Sequence, residues 1–247
     1  MSNDIEKNHG NQENLMKIKV QTELLQRIAR YLMLHASFTS NIGLLNGKTG
    51  IAVFFYHCAK YTGKHVYDDF AGELIDEIYK EIHVNTLLDF KDGLCGIAWG
   101  IGYLIRNGFI DGDPDAVLED LDKRIVEWDV RRISDHSLET GLTGIACYVI
   151  SRMENREKKH AFIRPDYVCD LLEAMRKDKE NTNPALTESL ENIVNGTMNA
   201  HSYNPVFEIV DKIRFNAKTI FETPKALGIN KAGYAGTGLK LMEIGKQ

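Results

Sequence analysis

A cysteine, a histidine and a few carboxylates stand where they could do chemistry. Cys95 is the third residue of Gly93-Leu-Cys-Gly96, at the mouth of an apolar helical run. A helix N-terminus favours the thiolate, which makes Cys95 a candidate nucleophile. The competing reading is a small buried residue filling the slot that Thr49 and Thr143 hold in similar segments. His136 lies with Asp135 and Glu139 just ahead of another glycine segment, a grouping that could supply a general base and its carboxylate partners. Asp92 and Glu139 are the one carboxylate pair on offer for glycoside hydrolysis, which in retaining enzymes needs two carboxyls about 5–5.5 Å apart.

Other segments imitate ligand loops and fail on detail. Gly43-Leu-Leu-Asn-Gly47-Lys48-Thr49 has three residues between its glycines where a phosphate loop has four, and no strand precedes it. Asp111 to Asp122 has the carboxylates of a calcium loop, but Ala116 stands at the position that requires glycine. Asp113-Pro114 reads instead as the cap and first residue of a helix. His57-Cys58 falls mid-helix in aromatic company, which favours core packing over metal ligation.

The elements that must position these residues are announced by glycines. Gly47-Lys-Thr-Gly50, Gly93-Leu-Cys-Gly96, Gly141-Leu-Thr-Gly144 and Gly233-Tyr-Ala-Gly236 begin 46, 48 and 92 residues apart, the last interval being two periods. A period of that size means one supersecondary unit per repeat. The first three motifs lead into runs such as Ile97-Ala-Trp-Gly-Ile-Gly-Tyr-Leu-Ile105 that are apolar nearly all round, hence buried on most sides. Glycine in a helix costs about 1 kcal/mol relative to alanine, so the repeated pairs need a reason, and close approach of neighbouring helices is the expected one.

Between the motifs lie amphipathic helices. Asp68 to Ile82 puts Phe70, Leu74, Ile75 and Ile78 on one face and charges on the other; segments from Pro114 and Pro165 repeat the plan. The expected motif near residue 187 is absent, replaced by Thr187-Glu-Ser-Leu-Glu191. All five prolines (114, 165, 184, 205 and 224) sit where helices could begin. Residues 1–14 are polar and expected to form a disordered tail; a first helix is expected from about Leu15 to Leu34, inside one domain over residues 15–247. The fold class expected is all-α, built of antiparallel inner and outer helices that stack or close into a ring.

Composition excludes several functions. The 247 residues carry a net charge of −5, with 43% hydrophobic and 26% charged residues, which argues against nucleic-acid or acidic-membrane partners. No apolar run reaches membrane-spanning length, and no apolar signal core opens the chain. Four cysteines, at 58, 95, 147 and 169, form no paired framework, and a reducing cytoplasm is the expected location.

The glycine motifs opening apolar inner helices, in phase about every 46 residues, resemble those of the lanthionine synthetase C-like proteins. Gly43 to Lys64 is similar to a first repeat of that family, Asp92 to Asp113 to a middle one and Gly233 to Met242 to a last one. The resemblance implies a closed α/α toroid, here shortened, either by a lost repeat or as an incomplete ring. It implies a bacterial peptide-modification system that adds cysteine thiols to dehydrated residues, forming the thioether rings of lanthipeptides. In that family a zinc ion held by two cysteines and a histidine activates the thiol, with the cysteines two residues before the first glycine of a late motif. Here those positions are Leu45, Lys91, Glu139 and Lys231, followed by Asn46, Asp92, Thr140 and Ala232. No zinc or other cofactor is therefore expected. The function expected is binding of a precursor peptide or a peptide-modifying enzyme, with Asn46, Asp92, His136, Glu139 and Lys231 lining the toroid mouth. An active cyclase with an altered site at Cys95 or His136, and a carbohydrate-active α/α-barrel enzyme, are the alternatives.

Overall fold

The computed structural model describes residues 2–153, 163–178, 180, 182–197, 203–222 and 225–244. Among the described residues the secondary structure is helical, without strands. The helices are α1 (Ser2–His35), α2 (Lys48–Thr62), α3 (His65–Glu81), α4 (Leu94–Arg106), α5 (Pro114–Val126), α6 (Leu142–Met153), α7 (Pro165–Arg176), α8 (Pro184–Val194), α9 (Pro205–Lys212) and α10 (Tyr234–Ile244).

The division into inner and outer helices holds. Every residue from Leu94 to Leu104 of α4 and from Leu142 to Met153 of α6 is buried, as is α2 from Lys48 to Tyr56. In α3 only Tyr67, Ala71, Leu74, Ile75 and Ile78 are buried, one stripe at helical spacing. The pairs α2–α3, α4–α5 and α6–α7 pack as hairpins, and the inner helices pack side by side in the order α10, α2, α4, α6, α8. Four of the prolines open helices as expected; Pro224 lies outside the described residues. Asp113, Asn183 and Asn204 each accept a backbone N–H of the first turn through their side chains.

Two expectations are corrected. The first helix begins at Ser2, not near Leu15: the polar stretch holds no proline and only Gly10 as a breaker, so nothing in it stops a helix. Leu24, Leu25, Ile28, Ala29 and Leu32 form its buried stripe. The glycines, too, serve mainly a partner other than a neighbouring helix. A Cβ on Gly93 would overlap the carbonyl of Leu87, and one on Gly96 the carbonyl of Phe90, each six residues upstream. The same six-residue overlap recurs at Gly47, Gly50, Gly141 and Gly144. The motif lets the loop before each inner helix fold back over its first turn. Gly100 does receive a neighbouring helix, through Thr49 of α2.

The missing motif has an explanation of the same kind. Thr182 stands 46 residues after His136 and is hydrogen-bonded to it at 3.1 Å, so the repeat register persists. Yet α8 is preceded by Asn183, whose side chain caps the helix terminus where the other inner helices use loop carbonyls. No glycine pair is then needed.

Candidate functional site at the loop-bearing end of the helices

The four glycine motifs bring four loops to one end of the inner helices. In each, the loop backbone caps the helix that follows it. The N–H groups of Lys48, Leu94 and Leu142 donate to the carbonyls of Asn41, Leu87 and Asp135, seven residues upstream, at 2.8, 2.7 and 2.9 Å. That of Tyr234 donates to Ala226 at 2.9 Å. These helix ends have spent their donors on the chain itself and are not anion sites.

The loops also bond to one another. The N–H groups of Ile229 and Asn230 both donate to Leu45 O at 2.8 Å, and Leu45 N–H donates to Lys91 O at 2.8 Å. Phe90 and Lys91 donate to Glu139 O at 3.1 and 2.9 Å. The Asn230 amide then donates to Glu139 Oε1 at 2.8 Å. Loops 226–232, 41–46, 87–92 and 135–140 thus form a hydrogen-bonded circuit, a crown over the helix ends.

Polar side chains of the crown are held in place. Asp92 accepts from the Asn41 amide at 2.8 Å (Oδ1) and from the Asn46 amide at 3.1 Å on both oxygens. Glu139 pairs with Lys91 Nζ at 3.1 Å. Burial works upward on the Glu139 carboxyl, but the Asn230 amide, the Lys91 ammonium and the field of Lys231 outweigh it and hold it below the usual carboxylate range. Lys91 is raised by the same partner. Asp89, whose Oδ1 accepts Asp92 N–H at 2.7 Å, is pushed up by its burial. Lys231 is exposed, and it and Ala232 both have φ of 53°, a left-handed conformation that costs an L-residue roughly 1–2 kcal/mol.

Of the residues singled out in the sequence, Asn46, Asp92, Glu139 and Lys231 lie on crown loops. Cys95 does not act at the mouth. It is 0% exposed, its N–H donates to Leu88 O at 3.1 Å, and burial raises its thiol pKa well above the ordinary value. The helix-terminus effect is absent because the terminus is already capped. Cys95 fills the threonine slot: Thr49 and Thr143 there donate their hydroxyls to Ile42 O and His136 O, both at 2.6 Å. The His136 cluster divides. His136 turns to Thr182, and Asp135 accepts from Ser137 and Thr140 of its own turn, while Glu139 turns to Lys91 and Asn230. Asn41 and Asn230 escaped sequence reasoning, and Lys91 entered it only as the residue standing where the resembled family has a zinc cysteine, although Lys91 and Asn230 come within three residues of a motif glycine.

A further departure concerns Lys48. It holds the slot that Leu94, Leu142 and Tyr234 fill in the sister motifs, and it is 2% exposed. Its ammonium lies 2.8 Å from Glu77 and 2.5 Å from Glu81 of α3. His57 is half-buried among aromatic rings, its Nε2 2.8 Å from Tyr103 Oη and its ring 4.7 Å from that of Phe109.

The crown does not fit a thiolate-zinc centre. Its donors are carboxylates already bound to Lys91 and to three asparagine amides, and Cys58, Cys95 and Cys147 are buried in the helices below. Among the described residues no three His, Cys, Asp or Glu side chains converge as a metal site. Set against protein-family models and curated proteins, the chain has no match.

Proposed function

We propose that the chain is a lanthionine synthetase C-like protein that binds rather than cyclises. Its ligand would be a precursor peptide or a peptide-modifying enzyme, met at the crown end of an α/α toroid. The observation that carries the reading is the crown itself: four motif loops in repeat register, bonded in a circuit, that present Asn46, Asp92, Glu139, Asn230 and Lys231 together. The glycine motifs support the family resemblance, because each performs the same steric task at the same place in its unit. The donor set argues for binding over ring closure, since thiol activation by metal needs thiolate or imidazole ligands free of other partners. A carbohydrate-active site is less favoured: both carboxylates it would use are already engaged, Asp92 with the Asn41 and Asn46 amides and Glu139 with Lys91 and Asn230.

A photo-crosslinking residue at Lys231 tests the reading in the native host. Capture of a ribosomally made peptide or of its modifying enzyme is expected, with little capture from a control position at Tyr61, at the far end of α2. Equal capture at both positions, or none, would overturn it. The cytoplasmic location follows the same reading and is checked by fractionation; no helix among the described residues is long and apolar enough to cross a membrane.

A further inference from the structure

One flank of the crown opens into a cavity of about 590 Å³ between the end of α3 and the loops before α2 and α4. Its walls include Ser40, Asn41, Glu81, Asn85, Leu87 and Asp92. The repeat supplies an internal control for these positions. Asp92 corresponds to Asn46, Thr140 and Ala232 in the other motifs, none of them charged. Lys48, whose ammonium reaches Glu81 on the cavity wall, replaces two leucines and a tyrosine. Two departures from the repeat therefore meet at one cavity.

Charge at the cavity is unevenly balanced. Glu77 and Glu81 share the Lys48 ammonium, Glu139 has Lys91, and Lys80 and His83 also stand on the cavity wall. Asp92 is different: two neutral amides fix its orientation, and among the described residues no cation stands within ion-pair distance of it. A half-buried carboxylate held in one orientation, facing a cavity and reached by Lys91 only through its longer-range field, is arranged for an incoming cation. The chain beside the cavity is apolar where it meets solvent: Leu87 on the wall is 63% exposed, and Val84 and Phe38, one and two residues from wall positions, are 88% and 86% exposed.

We propose that this cavity receives the guanidinium or ammonium of a basic residue in an extended peptide, paired with Asp92, while an apolar neighbour in that peptide covers Leu87. The inference rests on the peptide-binding reading and gives it a sequence preference. The hydroxyl of Ser40 and the amide of Asn85, both on the cavity wall, supply hydrogen bonds to the peptide around the ion pair.

The test is a selection of random decapeptides on the full chain, followed by affinity measurement of one enriched peptide and its citrulline analogue. Enriched peptides should carry arginine or lysine beside a leucine, phenylalanine or similar residue. Citrulline, or Asp92→Asn in the protein, should weaken binding about tenfold, and added salt should weaken the arginine peptide more than the citrulline one. Lys80→Ala, on the exposed side of α3 at the cavity wall, removes a repelling charge and should tighten binding; lost folding cannot mimic that result. Enriched peptides without a basic residue, or binding indifferent to citrulline and to both variants, would overturn the inference and leave peptide binding standing. No enrichment at all would overturn both.

Discussion

At the scale of single residues, burial decides the chemistry. Cys58 has its thiol pushed up to about 12 by burial, and Cys95 and Cys147 are raised as well, while Cys169 is exposed. A thiol reagent on the native protein should therefore label Cys169 quickly and the other three only on unfolding; rapid modification of Cys95 would reinstate it as a nucleophile. Cys95→Thr should be tolerated to within about 1 kcal/mol, because its hydroxyl can donate to Leu88 O as Thr49 and Thr143 do to their own loop carbonyls. Glu139 gives a pH signature. Its folded pKa is depressed, so its contribution is complete above the unfolded value of about 4.3 and is lost as pH falls through the lower folded value. The side chain is 43% exposed, so solvent screening keeps that contribution small. Urea denaturation should show Glu139→Gln less stable at pH 7 by under about 1 kcal/mol, with the difference vanishing at strongly acid pH. His136, read from sequence as part of this group, belongs to another contact because the chain turns its ring toward Thr182.

At the scale of elements, the glycine motif is a steric device for laying a loop over a helix. Gly96→Ala would drive a methyl into the Phe90 carbonyl, whereas Gly72→Ala in α3 meets nothing nearer than Tyr56 Oη at 3.9 Å. Thermal unfolding should show the first variant severely destabilised and the second more stable by up to about 1 kcal/mol, the helix-propensity difference. Similar gains in both would mean that these glycines are matters of propensity alone. The positions of these motifs were legible in the sequence because steric exclusion leaves a fixed residue type at fixed spacing. Their reason was not, since the intruding carbonyls belong to residues of any type. The same limit hid Asn41 and Asn230, ordinary loop asparagines until the loops meet.

At the scale of the whole molecule, the crown couples units distant in sequence. Asn230 and Glu139 are 91 residues apart, and their bond joins the last motif loop to the third. A double-mutant cycle with Asn230→Ala and Glu139→Gln should return a coupling of about 0.5 kcal/mol or more, and simple additivity would show the circuit to be open there. The sequence by itself determined the all-helical class, the inner and outer layers, the helix starts at four prolines and the repeat register, because periodicity, capping and steric exclusion act within a few residues. Which side chains share a site was decided only by the tertiary structure. Cys95 is shut away by burial and by its own folded-back loop, and Asp92 is held by asparagines of a loop about 46 residues upstream; no local pattern encodes the direction in which such loops turn.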